Sequence, residues 1–322
     1  MKFTAPFLKL PVHFSADRLA AEVRALPPRA WLPHPQGFAG NEAVPLVSPH
    51  GELTNAFDGP MAPTEHLLAC PYMLDVMRSL GAAWGRGRLM ALAPGADVPS
   101  HVDFNYYWRT HYRVHIPVIT NPGVQFTCDG ETVHMQAGEC WIPDTFKRHT
   151  VRNGGSQQRI HLVLDTVGGE RFWDLMSAAQ TGGSVAPRHS AGDEELAFEQ
   201  MVAPAVMSPY EVKYHLGFLV AHLVPHAQVP LVTHRLDKFV AGWTANWARF
   251  GTDAAGLPAY RKLIDEVRRD LGEICGTAVT LDNGKTFFFF FEKLVLANAI
   301  SRQMNERSEA HSPPAFKRAA TR

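Results

Sequence analysis

The stretch from residue 86 to residue 166 constrains the fold most, because polar and apolar side chains alternate there in two long runs. The runs 112–118 and 159–165 place an apolar or aromatic residue at every second position. The polar residues between them are Arg113, His115, Arg159, His161 and Asp165. A period of two is typical of a β-strand that buries one face. Each run therefore predicts a strand whose other face carries basic groups.

Shorter strand-like runs and turn residues fill the rest of this stretch. The runs lie at 89–92, 124–128, 133–135 and 140–142, with Gly, Asn and Asp turns between them. Many short strands at this spacing are typical of a double-sheet jelly roll or cupin-like barrel. The predicted fold class is mostly β with α: a double-stranded β-helix core, flanking N-terminal helices and an all-α C-terminal domain. The mouth of such a barrel is a natural ligand site.

Residues 1–180 are predicted to form the jelly-roll domain together with its N-terminal support. Two helices are expected before the strands, at 16–26 and at 64–80, and Thr64 is the expected N-cap of the second. The intervening segment 41–63 is rich in turn residues and predicts a loop. Loops of this kind often carry substrate contacts.

The C-terminal part of the sequence has helical periodicity. Residues 181–206 are predicted to be a linker, 207–307 a helical domain and 308–322 a disordered tail. Within the helical domain, one helix is expected over 257–271 and is expected to end at Gly272.

The run Phe287–Phe291 consists of five consecutive phenylalanines. Such a run must be buried in a core or in an interface. Its periodicity does not decide between strand and helix. It also leaves open whether the chain is a monomer or a homodimer.

Charge and cysteine content exclude several classes of protein. Lys+Arg and Asp+Glu both total 31, so the formal net charge is zero, and the balance favours neither nucleic acid nor an anionic membrane as partner. The four cysteines include no C-x-x-C and predict reduced, mostly buried thiols. The uncharged stretch 214–234 contains four His and two Pro, too polar for a membrane span. We expect a cytoplasmic protein.

Three residues of the central stretch have side chains suited to a metal ion. His101 and Asp103 form a His-x-Asp pair, and His149 follows a turn and a strand-like segment. Two imidazoles and one carboxylate leave positions open on an octahedral ion, as in non-haem Fe(II) oxygenases. Arg159 follows on the next strand, where its guanidinium can bind a carboxylate through two hydrogen bonds. Each signal alone is weak, but together they predict an iron- and 2-oxoglutarate-dependent hydroxylase.

Several short motifs of the chain point to one known family. They are P-x-H-x-D ending at Asp103, R-x-H ending at His115, H-M-x-A-G-E-x-W ending at Trp141, H-x3-N ending at Asn153, Arg159, L-V-L-D ending at Asp165, and upstream G-P-M-A-P-T ending at Thr64. On these motifs the chain resembles the aspartyl/asparaginyl β-hydroxylase family of Fe(II)/2-oxoglutarate oxygenases, nearest the branch of bacterial free-proline hydroxylases. The resemblance covers residues 30–170, and the helical part matches only in kind.

The resemblance implies roles for individual residues. The implied Fe(II) ligands are His101, Asp103 and His149. It further implies that Arg159 binds the 5-carboxylate of 2-oxoglutarate, and that His115 and Arg113 contact this cosubstrate or the substrate carboxylate. With O2, the family's reaction hydroxylates an unactivated C–H bond and releases succinate and CO2.

The substrate implied by the resemblance is an amino acid. The family's animal members lack the metal-binding carboxylate that this chain keeps as Asp103, which places it nearer the bacterial amino-acid hydroxylases. A free amino acid such as proline is the first choice, and a peptidyl or carrier-bound residue the second. Arg109, in the aromatic segment 104–111, and Asn55 and Asp58, in the predicted loop, are the further candidates for substrate contact.

Two other functions are compatible with the same residues. The first is a cupin metalloenzyme without 2-oxoglutarate, because the stretch from Gly138 to Asn153 superficially resembles the second cupin motif. The missing H-x-H of the first motif counts against it. The second is a non-enzymatic ligand- or metal-binding sensor with the helical part as partner surface. A site built from His115, His134 and His161 fits no common ligand spacing.

Overall fold

The computed structural model of the chain describes residues 5–33, 37–104, 106–186, 195–200 and 204–301. The expected tail 308–322 lies outside the described residues. The chain divides into two compact units. One comprises Met1–Asp103 and Tyr107–Val202, and the other Phe104–Tyr106 and Ala203–Arg322.

The strands belong to the first unit. In the described residues they are β1 (Phe7–His13), β2 (Leu32–Pro33), β3 (Asn41–Pro49), β4 (Met61–Pro63), β5 (Ala83–Leu92), β6 (Asp97–His101), β7 (Tyr112–Ile119), β8 (Val124–Cys128), β9 (Glu131–Val133), β10 (Glu139–Pro143), β11 (His149–Asn153) and β12 (Arg159–Gly168). They form two antiparallel sheets. The larger has the order β1-β10-β7-β12-β5-β3-β2 with β4 beside β3, and the smaller the order β6-β11-β8-β9.

The helices before residue 182 accompany the sheets, and those after residue 203 form the second unit. The described ones are α1 (Ala16–Ala25), α2 (Glu65–Leu68), α3 (Pro71–Leu80), α4 (Tyr106–Thr110), α5 (Glu170–Thr181), α6 (Pro209–Ala221), α7 (Val229–Phe250), α8 (Leu257–Ile274) and α9 (Phe287–Phe291), which continues into a π-helical turn over Glu292–Leu296. The predicted fold class, a double-stranded β-helix core with flanking helices and a helical C-terminal part, is confirmed.

The two faces of the larger sheet have opposite character. In the register, Asp165 lies opposite Arg113, and Val163 lies opposite both His115 and Arg88. Directly opposed residues in antiparallel strands point to the same face. One face therefore carries Arg86, Arg88, Arg113, His115, Arg159, His161 and Asp165, all of them buried or half-buried. The predicted basic face of the strands is thus present.

The opposite face of the larger sheet is apolar and forms the main core. Its residues include Leu89, Ala91, Val114, Ile116, Ile160, Leu162 and Leu164. They share one hydrophobic cluster with buried side chains of α1, α3 and α5. Burial of this apolar face stabilises the sheet. The other face therefore does not have to be apolar, and its polar side chains can bind ligands.

The smaller sheet covers the polar face. The ring of Phe126 in β8 packs edge-on against His115 of β7, with 5.4 Å between centroids. A second hydrophobic cluster, which contains Phe7, Leu92, Phe126 and Val151, closes the contact between the sheets. The buried polar groups therefore line the interior between the two sheets.

The helix expected over 64–80 is two helices. Thr64 is the N-cap as predicted, and its Oγ1 accepts a hydrogen bond from the N–H of Leu67. The helix breaks at Cys70, whose φ of −120° and ψ of 75° are not helical. The cause is Pro71, which disfavours the helical conformation of the preceding residue and begins a new helix.

The loop expected over 41–63 is wrong at both ends. Asn41–Pro49 is the buried strand β3, and Met61–Pro63 is the strand β4 beside it. The two prolines of β3 hide the strand in the sequence. Pro45 is tolerated because it lies where the register between β3 and β5 shifts.

Part of the expected linker 181–206 is paired with the sheet. The N–H of Trp84 in β5 donates to the carbonyl of Ala197 at 2.9 Å, and the N–H of Glu199 donates to the carbonyl of Trp84 at 2.8 Å. The N–H of Met61 donates to the carbonyl of Glu199 at 2.7 Å. Residues 195–200 therefore form a strap along the first unit.

The second unit is built around aromatic side chains. Trp243 of α7 is fully buried, contacts Phe239 and Tyr260, and donates from Nε1 to the carbonyl of Met207 at 2.9 Å. The phenylalanine run is the helix α9, with Phe287, Phe290 and Phe291 buried in this unit.

The helix expected to end at Gly272 continues to Ile274 as α8. A Cβ at Gly272 would meet only the tip of Phe288 at 3.8 Å. Gly272 is thus an ordinary helical position, since a glycine inside a helix lowers its stability without ending it.

Two predictions from composition can be compared with the structure. All four cysteines are free and buried, as expected. Among the described residues, no helix combines the length and the hydropathy required to cross a membrane.

Candidate metal centre

The three predicted metal ligands meet at one end of the smaller sheet. His101 ends β6 and His149 begins β11, and the two residues lie directly opposite each other in the antiparallel pair. Their ring centroids are 4.2 Å apart. Asp103 follows in the next loop, where its N–H donates to the carbonyl of Thr145 at 2.9 Å. One ligand atom from each side chain lies within 4.8 Å of the other two.

The hydrogen bonds of both imidazoles leave Nε2 available for a metal. Nδ1 of His101 lies 2.7 Å from the carbonyl oxygen of Pro99, and Nδ1 of His149 lies 2.9 Å from that of Lys147. Since a carbonyl oxygen can only accept, Nδ1 carries the hydrogen in each ring. Metal-binding histidines usually donate their other N–H in this way. Two such nitrogens and the carboxylate of Asp103 fit the donor set of Fe(II).

Burial favours the metal-binding form of His149. It lowers the pKa of this imidazole to about 4, although the nearby Asp103 carboxylate acts in the opposite direction. His149 is therefore neutral at neutral pH, as a metal ligand must be.

Arg159 is a buried guanidinium without a carboxylate partner in the described part of the chain. Its Nη2 lies 2.7 Å from Nδ1 of His161, and its Nε makes no hydrogen bond to a described residue. Burial lowers the pKa of Arg159 to about 9. Because a buried cation without a counter-ion is costly, this position is suited to an anionic ligand.

Two neutral imidazoles flank this guanidinium. The rings of His115 and His161 are 5.8 Å apart in an edge-on contact. Burial, followed by the charge of Arg159, lowers the pKa of each well below its usual value. Nδ1 of His115 and Nε2 of His161 have no hydrogen-bond partner among the described residues, so both can contact a polar ligand.

A second basic group lies toward the other end of the polar face. Arg113 donates from Nε to Oδ1 of Asp165 at 3.0 Å and from Nη1 to Oδ2 of Asp103 at 3.1 Å. Nε of Arg86 is 3.7 Å from Oδ2 of Asp165, and Arg86 donates from Nη1 to the carbonyl of Asn55 at 2.9 Å. Burial would raise the pKa of Asp165, but Arg113 and Arg86 lower it below its usual value. Asp165 is therefore ionised.

Arg86 and Arg88 are site residues that the sequence reasoning missed. Arg88 is 7% exposed, and within the described ranges it makes no ion pair or hydrogen bond through its guanidinium. Its pKa is lowered by burial and by repulsion from Arg86 and Arg113. The alternation G-R-G-R in residues 85–88 was the available signal, because it continues the period of the following strand-like run.

The other expected substrate residues are Arg109, Asn55 and Asp58, and their burial differs. Arg109 is half-buried in α4, whose Trp108 ring centroid lies 3.8 Å from Cζ of Arg113. The carbonyl of Asn55 binds Arg86, and its side-chain Oδ1 is buried without a partner among the described residues. Asp58 is exposed.

The buried imidazoles predict a pH dependence of stability. The free energy of unfolding of the metal-free protein should fall as the pH is lowered from about 6.5 to about 4, because the unfolded chain then binds protons that the folded chain excludes. This contribution is fully present above pH 6.5 and lost below the folded-state pKa. For His149 it is on the order of 3 kcal/mol. Urea unfolding at several pH values in the presence of a chelator measures it.

A matched pair of variants assigns this pH dependence. His149→Gln removes one of the titrating groups and should make the curve less steep, while His115 and His161 still contribute. His226→Gln changes an exposed histidine of the second unit and should leave it unchanged. An equal slope in wild type and His149→Gln would contradict the assignment.

A comparison with protein families matches the part of the chain that contains these residues. Residues 57–168 match the family Aspartyl/Asparaginyl beta-hydroxylase. The L-proline cis-4-hydroxylase of Rhizobium meliloti (strain 1021) is 28% identical over 78 residues, which cover 24% of this chain and 28% of that protein. The chain thus spans less than a third of the length of this curated relative.

Two solved structures that match part of this chain are an oxidoreductase and a hydroxylase. A 2OG-Fe(II) oxygenase family oxidoreductase from Burkholderia pseudomallei has a TM-score of 0.38 at 16% identity, over 52% of this chain and 88% of that chain. A Pseudomonas putida prolyl-4-hydroxylase has a TM-score of 0.36 at 17% identity, over 51% of this chain and 92% of that chain.

The family match carries more weight because of where it lies. The range 57–168 contains the His-Asp-His group, the buried Arg159 and the Arg113–Asp165 pair. The resemblance of this chain to the aspartyl/asparaginyl β-hydroxylase family is therefore confirmed over residues 57–168.

Proposed function

We propose that the chain is an Fe(II)- and 2-oxoglutarate-dependent dioxygenase that hydroxylates an unactivated C–H bond of an amino acid and releases succinate and CO2. One observation carries the proposal: two imidazoles and one carboxylate converge in an interior that also contains the buried guanidinium of Arg159, which has no carboxylate partner among the described residues. The amino-acid substrate is supported by the proline hydroxylase among the relatives.

Each end of the polar face has its own task in this proposal. His101, Asp103 and His149 hold the iron, which when bound with 2-oxoglutarate and O2 supplies the oxidising chemistry. Arg159 binds the 5-carboxylate of 2-oxoglutarate through a charge-assisted pair. His161 orients the guanidinium of Arg159, and His115 offers a further polar contact to the cosubstrate.

Arg88 is the proposed receptor for the substrate carboxylate. Arg113 and Arg86 are already engaged by carboxylates and a carbonyl, whereas Arg88 is buried without such a partner among the described residues. Because burial removes water from the guanidinium of Arg88, the binding of an anionic group there is favourable. Arg113, Arg109, Asn55 and Asp58 remain proposed contacts of the rest of the substrate.

The test is a screen of amino acids for stimulated succinate release with Fe(II) and 2-oxoglutarate. We expect at least one amino acid, with proline tested first, to stimulate release. Arg88→Met should raise the KM for that amino acid by about 30-fold or more, because truncating one partner of a buried charge pair costs 2–5 kcal/mol. Arg24→Met, on the exposed face of α1, is the matched control.

The outcomes separate this function from the two others. Substrate oxidation that proceeds unchanged without 2-oxoglutarate would favour a cupin metalloenzyme. A folded, metal-loaded protein that consumes no O2 with any amino acid or peptide would favour a sensor. An unchanged KM in Arg88→Met would contradict the assignment of the carboxylate receptor alone.

A further inference from the structure

We propose that Asp165 acts through Arg113 as a positioning residue for the metal ligand Asp103, so that Asp103 binds the metal through Oδ1 alone. The inference rests on the proposed metal-dependent function. In this proposal neither Asp165 nor Arg113 contacts the metal directly.

The two oxygens of Asp103 have different surroundings. Oδ2 accepts a hydrogen bond from Nη1 of Arg113 at 3.1 Å. Oδ1 lies 3.8 Å from Nε2 of His101, the ring nitrogen that is left available for a metal. We therefore assign Oδ1 as the oxygen that binds the metal, while Oδ2 is held by the guanidinium. A carboxylate held in this way leaves more positions of an octahedral ion open for ligands.

Asp165 and Trp108 fix the position of the Arg113 guanidinium. Arg113 and Asp165 are directly opposed in the antiparallel pair of β7 and β12, and Nε donates to Oδ1 of Asp165 at 3.0 Å. The Trp108 ring lies against the guanidinium, with its centroid 3.8 Å from Cζ. Asp165 is 2% exposed, so water does not compete for its oxygens. The long arginine side chain is therefore restricted to one arrangement.

The charge of Asp165 prevents Arg113 from competing for the metal ligand. Arg86 and Arg88 are buried beside Arg113, and both are electrostatically coupled to it. Nη2 of Arg113 is buried without a hydrogen-bond partner among the described residues. Without the carboxylate of Asp165, the guanidinium can turn both Nη1 and Nη2 onto Asp103 in a two-armed pair. That pair would compete with the metal for Oδ1.

The experiment measures Co(II) binding to the metal-free protein without 2-oxoglutarate or substrate. Asp165→Asn keeps the size of the side chain and an accepting oxygen but removes the charge. Arg113→Lys keeps the charge but cannot bridge two carboxylates. We expect each variant to bind Co(II) 10- to 100-fold more weakly, the usual loss when an outer partner of a metal ligand is removed. The visible spectrum of bound Co(II) should also change.

Two further variants make the result specific. Asp75→Asn removes a carboxylate that is paired with Arg78 on α3 and should leave Co(II) affinity unchanged. The double variant Asp165→Asn/Arg113→Lys should bind Co(II) about as weakly as Arg113→Lys alone, because the two residues act in series. Additive losses would indicate independent roles and would overturn the proposal.

The failure of this inference differs from that of the proposed function. If wild type does not bind Co(II), the metal-dependent function fails. If wild type binds Co(II) and the single variants bind it equally tightly with an unchanged spectrum, only the positioning role is overturned. Should Asp165→Asn not fold, as judged by circular dichroism, Arg113→Lys decides by the same measurement.

Discussion

Replacing His101 by alanine is expected to abolish both tight metal binding and substrate-coupled succinate release. The change removes one of three ligands, and the remaining donors, Asp103 and His149, cannot hold the ion in the same geometry. The loss of metal affinity should exceed the 10- to 100-fold that removal of an outer partner costs. The His101 side chain is 41% exposed, so its truncation should change the stability of the metal-free protein little.

The measurement combines a Co(II) titration with an assay of succinate formation. His134→Ala is the matched control, because this half-buried histidine of the same unit bonds through Nδ1 to the carbonyl of Val124 and lies outside the ligand group. We expect the control to keep both properties. Undiminished turnover in His101→Ala would refute the metal centre and, with it, the proposed function.

Replacing Arg159 by methionine is expected to raise the KM for 2-oxoglutarate by about 30-fold or more. The physical reason is the loss of a buried charge-assisted pair, which costs 2–5 kcal/mol, with 1.4 kcal/mol for each factor of ten. Co(II) affinity should be unchanged, since Arg159 is not among the grouped ligand residues. This separates a cosubstrate defect from a metal defect.

The same variant has an opposite effect on the ligand-free protein. Arg159 is 3% exposed and has no carboxylate partner among the described residues, so its burial costs free energy until an anion arrives. The melting temperature of Arg159→Met without ligand should equal or exceed that of wild type. At one hundred times the wild-type Kd, added 2-oxoglutarate should stabilise the wild type by about 2.7 kcal/mol, and Arg159→Met, with about 30-fold weaker binding, by about 1 kcal/mol or less. The exposed Arg152→Met is the control, and equal stabilisation of wild type and Arg159→Met by 2-oxoglutarate would contradict the role.

The strands that line the interior were predictable because each of them must bury one apolar face. Residues 112–118 and 159–165 each bury an apolar face, so their alternation is visible in the sequence. The strand Asn41–Pro49 also is buried, yet its prolines read as turn residues. Its pairing depends on a register shift with β5, which is a property of two strands together and not of either sequence alone.

The candidate site was predictable to a similar extent. His101, Asp103 and His149 were found because metal chemistry restricts residue type and spacing. The contacts of Arg113 with Asp165 and Asp103 were not predicted, and its expected contact with a small molecule stays a prediction. The contact with Asp165 follows from the cross-strand register, which brings Asp165 opposite Arg113. Such a pairing is invisible in a single sequence. The alternation in residues 85–88 indicated that Arg88 lies on the same face, but not that it is left without a carboxylate partner among the described residues.

The opposed histidines of β6 and β11 have one more consequence. β6 is an edge strand of only five residues, joined to the sheet through β11. A metal ion bound by both His101 and His149 would link this edge strand to its neighbour and would close a loop of roughly 50 residues, as a covalent cross-link does. The proposed reaction centre would thereby also stabilise the smaller sheet. Metal binding should then slow the exchange of the backbone amide hydrogens of this sheet with heavy water.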